Sequence, residues 1–355
     1  MPVALDALSR RPVLLHLVVL IGFLVASVLL YQRTLDGEFV YDDRPLVLEN
    51  EALWKGGGFD FDLWGDRSTD RVRTNFRPLR FVSYAWDAWL TTLWRGGRHP
   101  AGPDSDPDPF FFHLQNLLWH GLNGFLLFLL VRRLASDADS RSETRPISRA
   151  SRAAFLIAGL FLVHPVHCES VAYISGRRDV MFLAFYLAGC WIYVRARNSA
   201  DPARRTLRPV AVLGIATAFV LAFLSKEMAA TFPAAILALE LWLAQRDRRR
   251  VRVPWVTLAV LGLSLAALLV AVLGRGGASN DAGFWGGDRV HAFWTAARAS
   301  WRYVALFVFP NTLSIDYSYD AIAASSGPLS PWTGLASAMT VVAVLIGSVV
   351  AWRRG

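Results

Sequence analysis

The stretch VLLHLVVLIGFLVASVLLY at residues 13–31 decides the class of this chain. It holds no Asp, Glu, Lys or Arg, and a helix needs ~20 such residues to cross ~30 Å of hydrocarbon. Apolar blocks of the same kind recur at 113–134, 153–167, 179–195, 209–225, 228–245, 254–274 and 332–352. With 54% hydrophobic and 18% charged positions the chain is too apolar for an ordinary soluble domain. The sequence therefore predicts an all-α polytopic membrane protein with about eight transmembrane helices. The shortest blocks, 153–167 and 179–195, need tilt, extension into the loop between them, or partial insertion. The first block is long for the apolar part of a signal peptide and no clean small-x-small site follows it, so a retained anchor is expected.

Arginines set the orientation, because positive residues in short loops stay cytoplasmic. Arg10 and Arg11 precede the first block, and Arg132, Arg133, Arg141, Arg145, Arg149 and Arg152 follow the second. Arg195, Arg197, Arg204, Arg205 and Arg208 follow the fourth, Arg246, Arg248, Arg249, Arg250 and Arg252 the sixth, and Arg353 with Arg354 closes the chain. Every second loop is basic, so both termini are expected in the cytoplasm and the intervening loops on the outer side. The net charge of +9 is largely taken up by this pattern. Nucleic acid is not needed as a partner to explain it, and the runs read as topology signals rather than a headgroup site. Cys168 and Cys190 sit at opposite ends of the fourth-block region, a poor placement for a disulfide.

This topology gives the outer side a long segment at 32–112, a short connection near 168–178, a turn at Ser225 to Glu227 and a second long segment at 275–331, all within a single domain spanning 1–355. Near 76–95, Leu79, Val82, Trp86, Trp89 and Leu93 recur at helical steps opposite Arg80, Ser83, Asp87 and Thr91, the pattern of an amphipathic helix in the membrane interface. Near 290–309 a similar stripe runs through Val290, Phe293, Trp294, Ala297, Trp301, Val304 and Val308, with Arg298 and Arg302 on another face. Reading 290–309 as a span would place both arginines in hydrocarbon at roughly 2.5 to 3.5 kcal/mol each, so an interfacial helix is expected. Gly- and Pro-rich stretches at 56–58, 96–100, 103–109 and 274–287 read as linkers.

Five groups of polar residues can carry chemistry. Asp42 and Asp43 follow the first block directly, and adjacent carboxylates near an apolar surface disfavour joint ionisation, so one can act as a base near neutral pH; a solvated turn is the alternative. His113, Asn116, His120 and Asn123 share one face of the second block and must look into the bundle, as packing bonds or as ligand contacts. His164, His167 and Glu169 are metal-type donors whose spacing matches no metal template, which leaves a divalent metal open. Arg177 and Arg178, with Asp179, break the positive-inside pattern; they suit a phosphate, or an ion pair with Asp179 or Glu169. Lys226 and Glu227 cap a hairpin or join Arg177 against a lipid phosphate.

Six elements in order carry a family resemblance: Tyr41-Asp42-Asp43; Asn75-Phe76-Arg77-Pro78-Leu79-Arg80; His113-Leu114-Gln115-Asn116 with His120 and Asn123; His164-Pro165-Val166-His167 through Gly176-Arg177; Ser225-Lys226-Glu227; and Phe309-Pro310-Asn311-Thr312-Leu313-Ser314-Ile315-Asp316-Tyr317-Ser318. Together they resemble the transmembrane half of the TMTC family, the transmembrane and tetratricopeptide-repeat proteins related to O-mannosyltransferases, in a bacterial-type form. The resemblance runs from the first block to about Tyr319. It departs in the glycine-rich Gly283 to Arg289, in Arg178 where a small residue is expected, and in the absence of tetratricopeptide repeats.

The resemblance implies a GT-C-like membrane glycosyltransferase that moves a sugar, mannose being one candidate, from a polyprenyl-phosphate carrier to an acceptor hydroxyl of a protein or glycan on the outer face, by single inverting displacement. It maps the base onto Asp42 or Asp43, and the charge reading above puts the donor phosphate at Arg177, Arg178, Lys226, His164 and His167. Glu169, Asp179, Glu227, His113, Asn116, His120, Arg77 and Arg298 support them. The rival readings are a non-catalytic membrane scaffold or assembly factor and a lipid-linked sugar flippase.

Overall fold

A computed structural model describes residues 12–54, 77–96, 107–135, 149–198, 207–248, 250–273, 288–314 and 322–354. The linker stretches at 56–58, 97–100, 103–106 and 274–287, the Asn75-Phe76 start of the second element and the end of the sixth lie outside these residues. The helices are α1 (Pro12–Tyr31), α2 (Pro78–Trp94), α3 (Phe110–Ala135), α4 (Arg149–Val163), α5 (Arg177–Asn198), α6 (Pro209–Ser225), α7 (Phe232–Arg246), α8 (Trp255–Leu273), α9 (Arg289–Val308) and α10 (Thr333–Arg354). No strand occurs among the described residues. The described part of each apolar block is mainly helical, as an all-α polytopic membrane protein requires.

Among the described residues six helices are long and apolar enough to cross a membrane, and seven if the bent pair Arg149–Val163 and Pro165–Ala172 is one span. The block at 209–225 is an apolar helix of the shorter class. Neither α2 nor α9 meets the test of a span.

The chain divides into two units, Met1–His164 with Ser170–Ala278, and Pro165–Glu169 with Ser279–Gly355. In the first, α5 packs on α6 and α7 through Tyr193, Ile215, Phe219, Phe232 and Ile236, all fully buried. Small residues permit the approach: a Cβ on Gly189 would stand 2.6 Å from the Phe232 ring, and one on Gly121 of α3 only 2.8 Å from the Leu24 Cα of α1. In lipid such close backbone contact and interhelical hydrogen bonds do the work that water-driven burial does elsewhere. Ser27 accordingly donates to the Leu117 carbonyl at 2.7 Å, His120 meets the Leu162 carbonyl at 3.0 Å, and Asn123 donates to the Val180 carbonyl at 2.9 Å. On the polar face of α3, His120 and Asn123 therefore join helices.

Buried charge ties α5 to α7. Glu240 is fully buried and accepts from Tyr193 at 2.9 Å, from Arg197 Nε at 2.7 Å and Nη2 at 3.0 Å, and from the Arg252 amide at 3.0 Å. Each carboxylate oxygen has two donors, the condition under which a buried ion pair holds.

Helix α2 is turned opposite to a helix of a soluble protein. Its polar side, Arg80, Ser83, Asp87 and Thr91, is buried, while Val82, Trp86 and Leu93 are exposed. An apolar stripe facing outward suits a lipid interface, and the polar side is thereby aimed into the protein.

In the second unit Asp288 caps α9, accepting from the amides of Val290 and His291. Arg298 donates to the Ala323 carbonyl at 2.8 Å and to Ser325 at 3.2 Å, so its hydrogen bonds fasten a neighbouring loop.

Replacing Gly121 by Val should lower the melting temperature of the lipid-reconstituted protein, at a cost of about 1–3 kcal/mol, because α1 must move away from α3. Gly159 meets nothing within 4 Å, and Gly159→Ala should melt as the parent does.

Candidate functional site

The chain leaves α1 through a 3-10 turn, Gln32–Asp36, and reaches Tyr41, an exposed residue whose φ of 47° lies in the left-handed region. A bulky aromatic held there carries strain, which surrounding contacts must maintain. The contacts are those of the next two residues. Asp43 is fully buried; its Oδ1 accepts from the Ser175 amide at 2.8 Å and the Ser175 hydroxyl at 2.6 Å, and its Oδ2 from the Val40 amide at 3.3 Å. Burial pushes its carboxyl up to about 6, with the Ser175 bonds pulling the other way. Asp42 is exposed, and its backbone is tied down, the amide donating to the Tyr173 hydroxyl at 3.0 Å and the carbonyl accepting from the Leu46 amide at 3.1 Å. The adjacent carboxylates thus have different situations: one anchors the loop and the other is presented outward.

Ser175 is placed by Arg177, two residues on. The Arg177 guanidinium is wholly enclosed. It pairs with Asp87 of α2, bonds to Gln115 and the Phe112 carbonyl of α3, donates from Nε to Asn116 Oδ1 at 2.7 Å, and lies 5.0 Å from the centre of the Tyr84 ring. Tyr84 in turn donates to the Ile174 carbonyl at 3.2 Å, and Asn116 to the Tyr173 carbonyl at 2.8 Å. Burial raises the Asp87 carboxyl to about 7 while Arg177 opposes the rise. From sequence, Arg177 is open between a phosphate and an ion pair with Asp179 or Glu169; in the structure its donors face Asp87, Gln115, Asn116 and the Phe112 carbonyl, which makes it a packing centre.

On the other side of this turn Asp179, Lys226 and Glu227 are less enclosed, while Arg77 and Arg80 are buried. Asp179 pairs with Lys226 and lies 3.4 Å from Arg178. Arg77 grips Glu227 with both ends of its fork, Nε at 3.0 Å and Nη2 at 2.7 Å. Arg80 is buried with its guanidinium 5.1 Å from the Phe81 ring centre. Burial lowers its pKa, the nearby Arg77 and Arg178 lower it further, and Tyr84 and Asp42 oppose them. A cluster of Arg77, Arg80, Arg178 and Lys226 therefore shares its field with Asp42, Asp179 and Glu227.

The residues singled out in the sequence divide accordingly. Asp42, Asp43, Arg77, Arg178, Asp179, Lys226 and Glu227 come together around the 173–179 turn. His113, Asn116 and His120 are buried on α3. His164 and His167 are half-buried and Glu169 is exposed. Among the described residues no three His, Cys, Asp or Glu side chains form a metal-binding group. Sequence reasoning passed over Ser175 and Tyr173, met Gln115 only within a family motif, and read Asp87, with Arg80 from another motif, only as part of the polar side of an amphipathic helix. Their place on a polar stripe beside an apolar one in a membrane chain was the available signal.

Two measurements follow. Arg177→Met should cost about 3–5 kcal/mol by leaving Asp87 buried and unpaired, and Arg177→Lys should recover only part of that, since an ammonium cannot reproduce the planar fork; thermal melts in nanodiscs read both. Asp43 keeps its proton up to about pH 6 when folded, against an ordinary value of 3.8. Its contribution to stability is therefore full below the ordinary value and lost as pH rises through about 6, and Asp43→Asn should flatten the fall in melting temperature between pH 4.5 and 7.5.

Comparison with known proteins adds ancestry to this geometry. The chain is 31% identical over 181 residues to Protein O-mannosyl-transferase TMTC4 of Mus musculus, covering 50% of this chain and 22% of that protein. It is 32% identical over 317 residues to Protein O-mannosyl-transferase Tmtc2 of Drosophila melanogaster, covering 82% of this chain and 30% of that one. Protein O-mannosyl-transferase TMTC1 of Homo sapiens is 30% identical over 177 residues, 48% of this chain and 17% of its own length. The chain spans less than a third of the length of these relatives. No family model and no solved structure matches it. With similarity to several TMTC proteins, in one case along most of its length, the chain is a TMTC-like polytopic membrane protein.

Proposed function

We propose that this chain is a membrane glycosyltransferase of GT-C type, which moves a sugar from a polyprenyl-phosphate carrier to an acceptor hydroxyl at the non-cytoplasmic face. The names of its relatives suggest mannose as the sugar and a protein as the acceptor. The observation that carries the reading is the division of labour in the Asp pair: Asp43 is fastened to Ser175, and Asp42 is presented outward beside a cluster of cations.

In this reading Asp42 is the base. It takes the proton of the acceptor hydroxyl as that oxygen bonds to the anomeric carbon. The bond from that carbon to the carrier's phosphate oxygen breaks, and the polyprenyl phosphate leaves with the electron pair. One displacement inverts the anomeric centre. Asp43 touches no substrate; through the strained Tyr41 it aims Asp42. Arg178 and Lys226, shared by Asp179, offset the charge that grows on the departing phosphate, a role that preorganised cations fill without reorganisation cost.

General-base help is worth ~10²–10⁴ in rate. Transfer from a synthetic polyprenyl-phosphate sugar by the reconstituted protein should fall by that order in Asp42→Asn at unchanged membrane abundance. Turnover equal to the parent's would remove the mechanism and favour a non-catalytic role.

A further inference from the structure

A buried cation needs a counter-charge, because removing it from water costs several kcal/mol that only pairing offsets. The first unit follows this rule in three places: Arg177 has Asp87, Arg197 has Glu240, and Arg77 has Glu227. Arg80 departs from it. Its side chain is 3% exposed, its Nε is buried without an acceptor, and among the described residues no carboxylate lies within ion-pair distance of it. Instead Arg77 and Arg178 add repulsion, and the attraction of Asp42 falls short of a contact. Arg77 itself, 7% exposed, keeps its Nη1 buried and unpartnered while its other nitrogens hold Glu227.

Stacking on Phe81 holds the Arg80 guanidinium in place without consuming a hydrogen-bond donor. Two preorganised forks, each with unused N–H groups and jointly short of negative charge, make a receptor for an oxyanion, since a guanidinium edge matches two oxygens of a phosphate. We propose that Arg80 and the free Nη1 edge of Arg77 form a binding site for a phosphate group beside Asp42. That the phosphate belongs to a lipid carrier rests on the glycosyltransferase reading above; the anion site itself does not. Arg80 and Arg77 then hold the phosphate, while Arg178 and Lys226 face the charge that grows on it.

The test uses the full chain in nanodiscs of zwitterionic lipid, with citronellyl phosphate, a short prenyl phosphate, and inorganic phosphate as probes. Melting temperature is followed against probe concentration for the parent and Arg80→Met. A ligand that binds only the folded state raises the melting temperature, and one or two charge-assisted bonds correspond to roughly 10- to 100-fold in affinity. The parent should be stabilised by citronellyl phosphate, and Arg80→Met should bind it that much more weakly. Without ligand, Arg80→Met should melt at or above the parent, because an uncompensated buried charge has been removed. Stronger binding of the prenyl phosphate than of inorganic phosphate identifies a lipid headgroup, and equal binding identifies phosphate alone; both support the site. Unchanged binding in Arg80→Met, or a ligand-free melt well below the parent's, overturns it in favour of a packing role. Because none of these readouts uses turnover, failure here is separate from failure of the Asp42→Asn transfer assay.

Discussion

A guanidinium sealed from solvent must find its acceptors inside the protein, and Arg177 does so by drawing separate parts of the chain to one point. Asp87 comes from α2, Gln115, Asn116 and the Phe112 carbonyl from the start of α3, and Tyr84 covers the face. In a low-dielectric interior a partly met network of this kind is costly, so its members are held in one arrangement. The arrangement fixes the turn from Tyr173 to Asp179. Ser175 then faces Asp43, Tyr173 meets the Asp42 amide, and Asp179 faces Lys226. Acidic and basic side chains far apart in sequence are gathered because a single short segment touches them all.

The second constraint is the solvent. Where the surroundings are apolar, an amphipathic helix turns its polar stripe inward, and α2 does this with Arg80, Ser83, Asp87 and Thr91. The residues that would be solvated decoration on a soluble helix become the inner wall of the candidate site. Strain at Tyr41 and burial of Asp43 are sustained by the same packing. The placing of a presented carboxylate near cations thus arises from membrane packing rules applied to a handful of polar residues.

Much of the fold was legible in the sequence. The apolar blocks specify helices because runs such as 13–31 and 254–274 have no other stable form in lipid. The Asp42-Asp43 pair and the Lys226-Glu227 turn stood out for the same reason, as charges at the ends of such runs. The role of Arg177 was not legible: sequence position shows that a charge departs from the topology pattern, but not whether a ligand or a buried carboxylate compensates it. The block at 153–167 ends in a 3-10 turn at Pro165 rather than continuing as one helix, since proline lacks the amide the ladder needs. Ser175 and Tyr173 carry no pattern at all in sequence; they matter only because the turn folds onto the first loop.

Arg177 and Asp87 act as one unit organising the turn. A double-mutant cycle on the melting temperature, with Arg177→Met, Asp87→Leu and the two combined, tests it most directly. Removing either partner alone leaves a buried charge, whereas removing both leaves an apolar contact, so the account predicts a coupling of about 2 kcal/mol or more, with the combined variant at least as stable as the worse single one. Losses that simply add would contradict it.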